Sequence, residues 1–166
     1  MTNFDYFVKK FRNRELLLDT NLLIVLLIGR TNKTFLEKIK TTKAYTIEDY
    51  DLLKKLINNF RVVTTPHILA EASNLCEKVE KFYKEKIFQV FSEIILNVIE
   101  IPQPSKDVVS TPIFVKFGMT DSVIIKLSHD GLIVLTDDFD LHNYLLGTGA
   151  TAANMNLFRG EKWMKN

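Results

Sequence analysis

Four acids stand in four local patterns: Asp19 in LLLDTNLL, Glu71 in TPHILAEASNL, Asp121 in GMTDSVIIKLS and Asp138 in VLTDDFDL. Carboxylates gathered at one edge of a fold make a site for Mg²⁺ or Mn²⁺. Such hard cations take oxygen ligands, retain water and bind phosphate groups. The cation offsets the repulsion that clustered carboxylates would otherwise feel. It also polarises a phosphoryl oxygen and lowers the pKa of water, so no further nucleophile is required.

Taken singly, each acid has a plainer explanation. Asp19 can cap the helix that follows it. Asp121 and Glu71 can complement the positive end of a helix. Asp137 and Asp138 can form a cap and turn. Asp19 is the hardest to explain this way, because a carboxylate between apolar runs is costly unless paired, hydrogen-bonded or metal-bound. Other reactive side chains offer less. His67, His129 and His142 lack metal-ligand spacing, and His129 in SHDG reads as the end of a helix. The single cysteine, Cys76, falls beside the apolar stripe of its helix and reads as core. There is no glycine-rich phosphate loop.

The elements that must position these acids follow from hydrophobic patterning. Buried strands are expected at Glu15–Leu18, Arg61–Thr64, Val98–Ile101 and Leu132–Leu135, with a last one within Thr148–Leu157. Asn21–Ile28 reads as a helix stopped by Gly29. A short helix and loop are expected between Thr31 and Lys43, and Thr46 opens a helix towards Phe60 with a capping pattern. Thr65-Pro66 starts another helix. Lys81–Leu96 continues as a long amphipathic one. Aromatic and basic residues interleave there in KFYKEKIFQVF, a pattern shared by nucleic-acid surfaces but expected here to be a lysine-coated helix face. Thr111-Pro112 begins a short helix ending near Gly118, Thr120 caps the next, and a further short helix spans Asp140 to Leu146. The tail FRGEKWMKN reads only as a basic end.

Strands alternating with helices, without period-two alternation, predict an α/β domain with a parallel sheet of four to five strands and helices on both faces. In that layout Asp19 and Asp138 follow strands, while Glu71 and Asp121 stand early in helices at the same edge. The length of 166 residues predicts a single domain over 1–166. The longest apolar run, Leu22 to Ile28, is too short for a membrane span, and the charged N-terminus is unlike a signal peptide. A cytoplasmic protein is therefore expected. Net charge is +2. Setting aside Asp19, Glu71, Asp121, Asp138 and Asp140 leaves 22 Lys and Arg against 15 of the 20 acidic residues. A metal-filled site in so basic a surround would attract a polyanion.

At these residues the chain resembles the PIN-domain family of metal-dependent ribonucleases. The matching patterns are Leu18-Asp19-Thr20-Asn21-Leu22, Thr65-Pro66 through Ala70-Glu71, Asp121-Ser122 opening a helix, and Thr136-Asp137-Asp138-Phe139-Asp140, in that order. The resemblance implies a Rossmann-like parallel sheet and a Mg²⁺ or Mn²⁺ endoribonuclease. Asp19, Glu71, Asp121 and Asp138 take the catalytic acidic positions. Asp19, Asp121, Asp138 and Asp140 would hold metal, with Thr20, Asn21, Thr136 and Asp137 supporting them. It further implies a VapC-like toxin of a toxin–antitoxin pair, with RNA as substrate, an antitoxin protein as partner and a homodimer as the assembly. Two alternatives stand beside this: a PIN-type nuclease for RNA processing or structured DNA, and an inactive PIN-like binding module.

Overall fold

Three buried leucines, Leu16, Leu17 and Leu18, make the strand at the centre of the fold, β1 (Glu15–Leu18). A computed structural model describes residues 1–110 and 112–163. Four further strands are β2 (Arg61–Thr64), β3 (Ile99–Glu100), β4 (Ile133–Thr136) and β5 (Ala152–Asn154). They form one sheet in the order β3-β2-β1-β4-β5, and every pair is parallel. Leu17 pairs with Val63 on one side and Val134 on the other. Strands this apolar are those of a sheet covered by helices, and the sheet is flanked by them, as the sequence predicts.

The strand order reverses at β1, whose neighbours are β2 and β4. The carboxyl ends of β1 and β4 therefore flank a topological switch point, where open α/β sheets form their crevices. Among the described residues no helix is long and apolar enough to cross a membrane.

Helix α2 (Thr20–Thr31) departs most from its expected form. It does not stop at Gly29 but runs through it. A Cβ at Gly29 would lie 2.2 Å from Cδ2 of Tyr50, so this glycine makes room for a ring. Tyr50 belongs to α3 (Ile47–Ile57), capped by Thr46 in a reciprocal box with Asp49. Helix α2 is buried almost all round, packing on α3, α4 (Pro66–Glu77) and α5 (Lys81–Asn97). An all-apolar helix is the type that a core encloses.

Three other expectations need correction. The first is a cap: the two helices expected here are present, carried under the one label α6 (Pro112–His129), and they meet at Gly118 as the sequence predicts, where φ is 78° and ψ −174°. Left-handed φ suits glycine. Helical geometry resumes at Met119, so Thr120 lies within the turn it was expected to cap; Thr111 lies outside the described residues. Strand β3 is shorter than Val98–Ile101: Val98 serves as the cap of α5, and only Ile99 and Glu100 pair with β2, both exposed at the sheet edge. Finally, both ends are helical. Helix α1 (Asn3–Phe11) and α8 (Met155–Trp163) pack together through Phe4, Phe7 and Phe158. Helix α7 (Phe139–Gly147) lies between β4 and β5 in sequence.

Candidate active site at the carboxyl edge of the sheet

Asp19 directly follows β1 and caps α2. It is only 5% exposed, yet its carboxylate is well supplied with donors. One oxygen accepts the Leu22 amide at 2.8 Å. The other accepts the Thr136 hydroxyl in a short bond and the Asp137 amide at 3.0 Å. The Thr136 oxygen in turn accepts the Asp138 amide at 3.0 Å. The end of β4 is thus hydrogen-bonded to the end of β1 through one carboxylate. Burial drives the Asp19 pKa well above the usual carboxylate range. The Asp137 charge adds to the rise, and the three donors oppose it.

Glu71 stands in the second turn of α4 and accepts the Thr20 hydroxyl at 3.1 Å. Asp121 is half-buried at the start of the long arm of α6. Its pKa is raised from 3.8 to about 6, chiefly by burial, then by the charges of Glu71 and Asp138. Those charges identify Glu71, Asp121 and Asp138 as electrostatic neighbours. Asp138 caps α7, accepting the amides of Asp140 at 2.7 Å and Leu141 at 3.0 Å. Asp140 joins this arrangement through its backbone amide. From Asp19 to Asp138 the site grades from a buried floor to an exposed rim.

The acids therefore fall into two linked groups: Asp19 with Asp137, and Asp121 with Glu71 and Asp138. Thr20 and Thr136 connect them. Among the described residues no three His, Cys, Asp or Glu side chains are grouped closely enough to enclose a metal ion as they stand. The mutual repulsion at Asp121 is of a kind that a proton or a cation relieves.

Asp137 is the member whose surroundings sequence reasoning missed. Its carboxylate accepts Asn21 Nδ2 at 3.2 Å and the Tyr45 hydroxyl in a short bond. Its carbonyl accepts Asn156 Nδ2 at 2.8 Å. Asn156 is held by Arg159, whose Nη1 donates to its side-chain oxygen at 3.0 Å. Arg159 also donates to Asp49 at 2.8 and 3.0 Å and to the Ala44 carbonyl at 3.1 Å. Its guanidinium lies 5.1 Å from the Tyr45 ring centroid. Burial and the neighbouring Asp137 push the Tyr45 pKa upward, so the phenol keeps its proton and donates it. The one signal was the Asn-Met-Asn-Leu-Phe-Arg run after Ala152-Ala153, an unusual concentration of amides beside a strand end.

The candidates set aside remain so. Cys76 is 1% exposed, and burial pushes its thiol up to about 11. His129 is the last residue of α6. Comparison of the chain with protein-family models, with curated proteins and with solved structures found no match.

Proposed function

We propose that this chain is a metal-dependent endoribonuclease of the PIN-domain type that hydrolyses RNA phosphodiester bonds. The observation that carries the reading is an Asp19 fixed by Thr136 and the Asp137 amide at the switch point, with Glu71 and Asp138 near enough to Asp121 for their charges to add to the rise in its pKa. An all-oxygen set of carboxylates that repel one another fits Mg²⁺ or Mn²⁺. Asp19, Asp121 and Asp138 would hold the ion, with Asp140 at the rim and Glu71 completing the catalytic quartet. Such an ion supplies Lewis acidity towards a phosphoryl oxygen and lowers the pKa of water.

The chain's own residues do the rest. Thr136 and the Leu22 amide hold the Asp19 carboxylate in one orientation. Thr20 orients Glu71. Asn21 and Tyr45 hold Asp137 so that its charge stays beside Asp19. The exposed rim at Glu71 and Asp138 leaves room for a polymer to enter from the side.

The finer assignment, a VapC-like toxin restrained by an antitoxin and acting as a cytoplasmic homodimer, extends the same proposal and is supported by the motif resemblance. The deciding experiment is to sequence RNA ends produced by wild type and by Asp19→Asn, each with Mn²⁺ or with EDTA. Cuts present only for wild type with Mn²⁺ support the reading. Cuts that persist in Asp19→Asn or in EDTA overturn it. Growth arrest on expression, relieved by the product of a neighbouring reading frame, tests the toxin assignment.

A further inference from the structure

Two rings of the interleaved run at the start of α5, Phe82 and Tyr83, stand beside a concavity away from the acids. A cleft of about 200 Å³ opens where the loop after α2 meets the turn between α4 and α5. Lys38, Lys40 and Lys78 line it, with Tyr83 as an aromatic wall and Glu80 as the one acid among its lining. None of the three lysines forms an ion pair among the described residues. Tyr83 is held edge-on by Phe35, their centroids 4.6 Å apart. Phe82 stands 5.0 Å from Tyr83 and is 73% exposed. The rest of α5 behaves as an ordinary amphipathic helix, burying Ile87, Phe91 and Ile94.

Unpaired cations around a concavity, with an open ring beside it, match the needs of a single-stranded polynucleotide. Lysines track the phosphates and the ring stacks on a base. The place of the cleft also matters. Lys78 caps the end of α4 seven residues after Glu71. That spacing puts both on one face of the helix, about 10 Å apart along its axis. A strand leaving the cleft along this face runs towards the acids.

We propose that this cleft anchors single-stranded RNA, with Lys38, Lys40 and Lys78 on its phosphates and Phe82 stacked on a base. The substrate class rests on the ribonuclease reading, but anchoring requires no cleavage. The two therefore fail separately.

The test is fluorescence anisotropy of the full chain with a labelled single-stranded oligouridylate in EDTA, where cleavage is suppressed. The triple variant Lys38→Gln, Lys40→Gln, Lys78→Gln should weaken binding by at least about 30-fold at low salt. It should also flatten the log–log salt slope by about 2, the loss expected for three phosphate contacts on a single strand. Phe82→Ala should weaken binding about tenfold with the slope unchanged. The corresponding triple arginine variant should bind as wild type does, which separates lost charge from lost fold. Wild type that does not bind, or a glutamine triple that binds equally well, overturns the proposal. So does a Phe82→Ala variant of unchanged affinity with heparin competing as strongly as RNA, since that marks a general polyanion patch. Retained anchoring without any Mn²⁺-dependent cutting would instead overturn the ribonuclease reading alone.

Discussion

Tyr45 donates its phenolic hydrogen to the carboxylate of Asp137, 92 residues further along the chain. The bond ties the loop ahead of α3 to the acid that lies beside Asp19. Tyr45→Phe keeps the ring and removes only the donor. The expected cost is about 1 kcal/mol, a fall in Tm of roughly 2–4 °C for a domain of this size. Mn²⁺-dependent cleavage should fall about tenfold as Asp137 loosens. Differential scanning calorimetry and initial rates measure the two effects. Unchanged values for both would deny the bond any role.

Arg159 and Asp49 form the most enclosed ion pair described, with side chains 27% and 12% exposed. Removing one partner of such a pair strands the other's charge. Arg159→Met should destabilise the fold by about 2 kcal/mol, a value below that of a fully buried pair because solvent still reaches the guanidinium. Adding Asp49→Asn should recover part of that loss. A urea double-mutant cycle reads the coupling, and additive losses would show that the two residues act independently.

Without metal, the contribution of Asp121 to stability should fall as pH rises. The Asp121 carboxyl is protonated in both folded and unfolded chains below 3.8, where its full contribution is present. Between 3.8 and about 6 the unfolded chain releases the proton first, so the folded state loses that contribution as pH climbs through the window. Asp19 is shifted in the same direction and adds to the fall. Melting in EDTA across this range should show wild type losing stability relative to Asp121→Asn. Added Mn²⁺ should raise the wild-type Tm most at the upper end. A gap between the two proteins that stays constant with pH would remove Asp121 from this account.

Gly29→Ala sets helix propensity against packing. In an open helix the change would stabilise by about 1 kcal/mol. Here the new Cβ would meet the Tyr50 ring at 2.2 Å, and overpacking of this kind costs about 1–3 kcal/mol. Net destabilisation is expected, with recovery when Tyr50→Leu is added. A more stable single variant in chemical denaturation would show that the ring moves aside freely.

Much of the sheet was legible because its strands are short apolar runs closed by polar residues. Arg61–Thr64 and Glu15–Leu18 have the bounds that their patterns predict. Thr65-Pro66 and the Thr46–Asp49 box were legible because capping is local chemistry. Gly29 misled because a glycine that ends a helix and one that admits a neighbour's ring look alike in sequence. The position of Asp121 near Glu71 and Asp138 followed from topology. The roles of Tyr45, Asn156 and Arg159 did not, since each depends on contacts across most of the chain. Helix α1 was legible too, with Phe4, Phe7, Val8 and Phe11 at helical spacing, and went unread among the charges around it; α8 has fewer apolar residues, and its Phe158 finds its partners in Phe4 and Phe7 of α1.

The surroundings of Asp137 set an order of assembly. Its side chain and carbonyl are gripped from residues 21, 45 and 156, and Arg159 secures the last of these. A ribosome delivers Asn21 and Tyr45 early, but Asn156 and Arg159 only after all five strands have been made. A nascent chain can thus hold every acid of the edge while the clasp around Asp137 is still open on its carbonyl side. The docking of α8 is the step that completes it, so a chain cut short before Asn156 keeps the side-chain donors to its carboxylates but loses the grip on the Asp137 carbonyl.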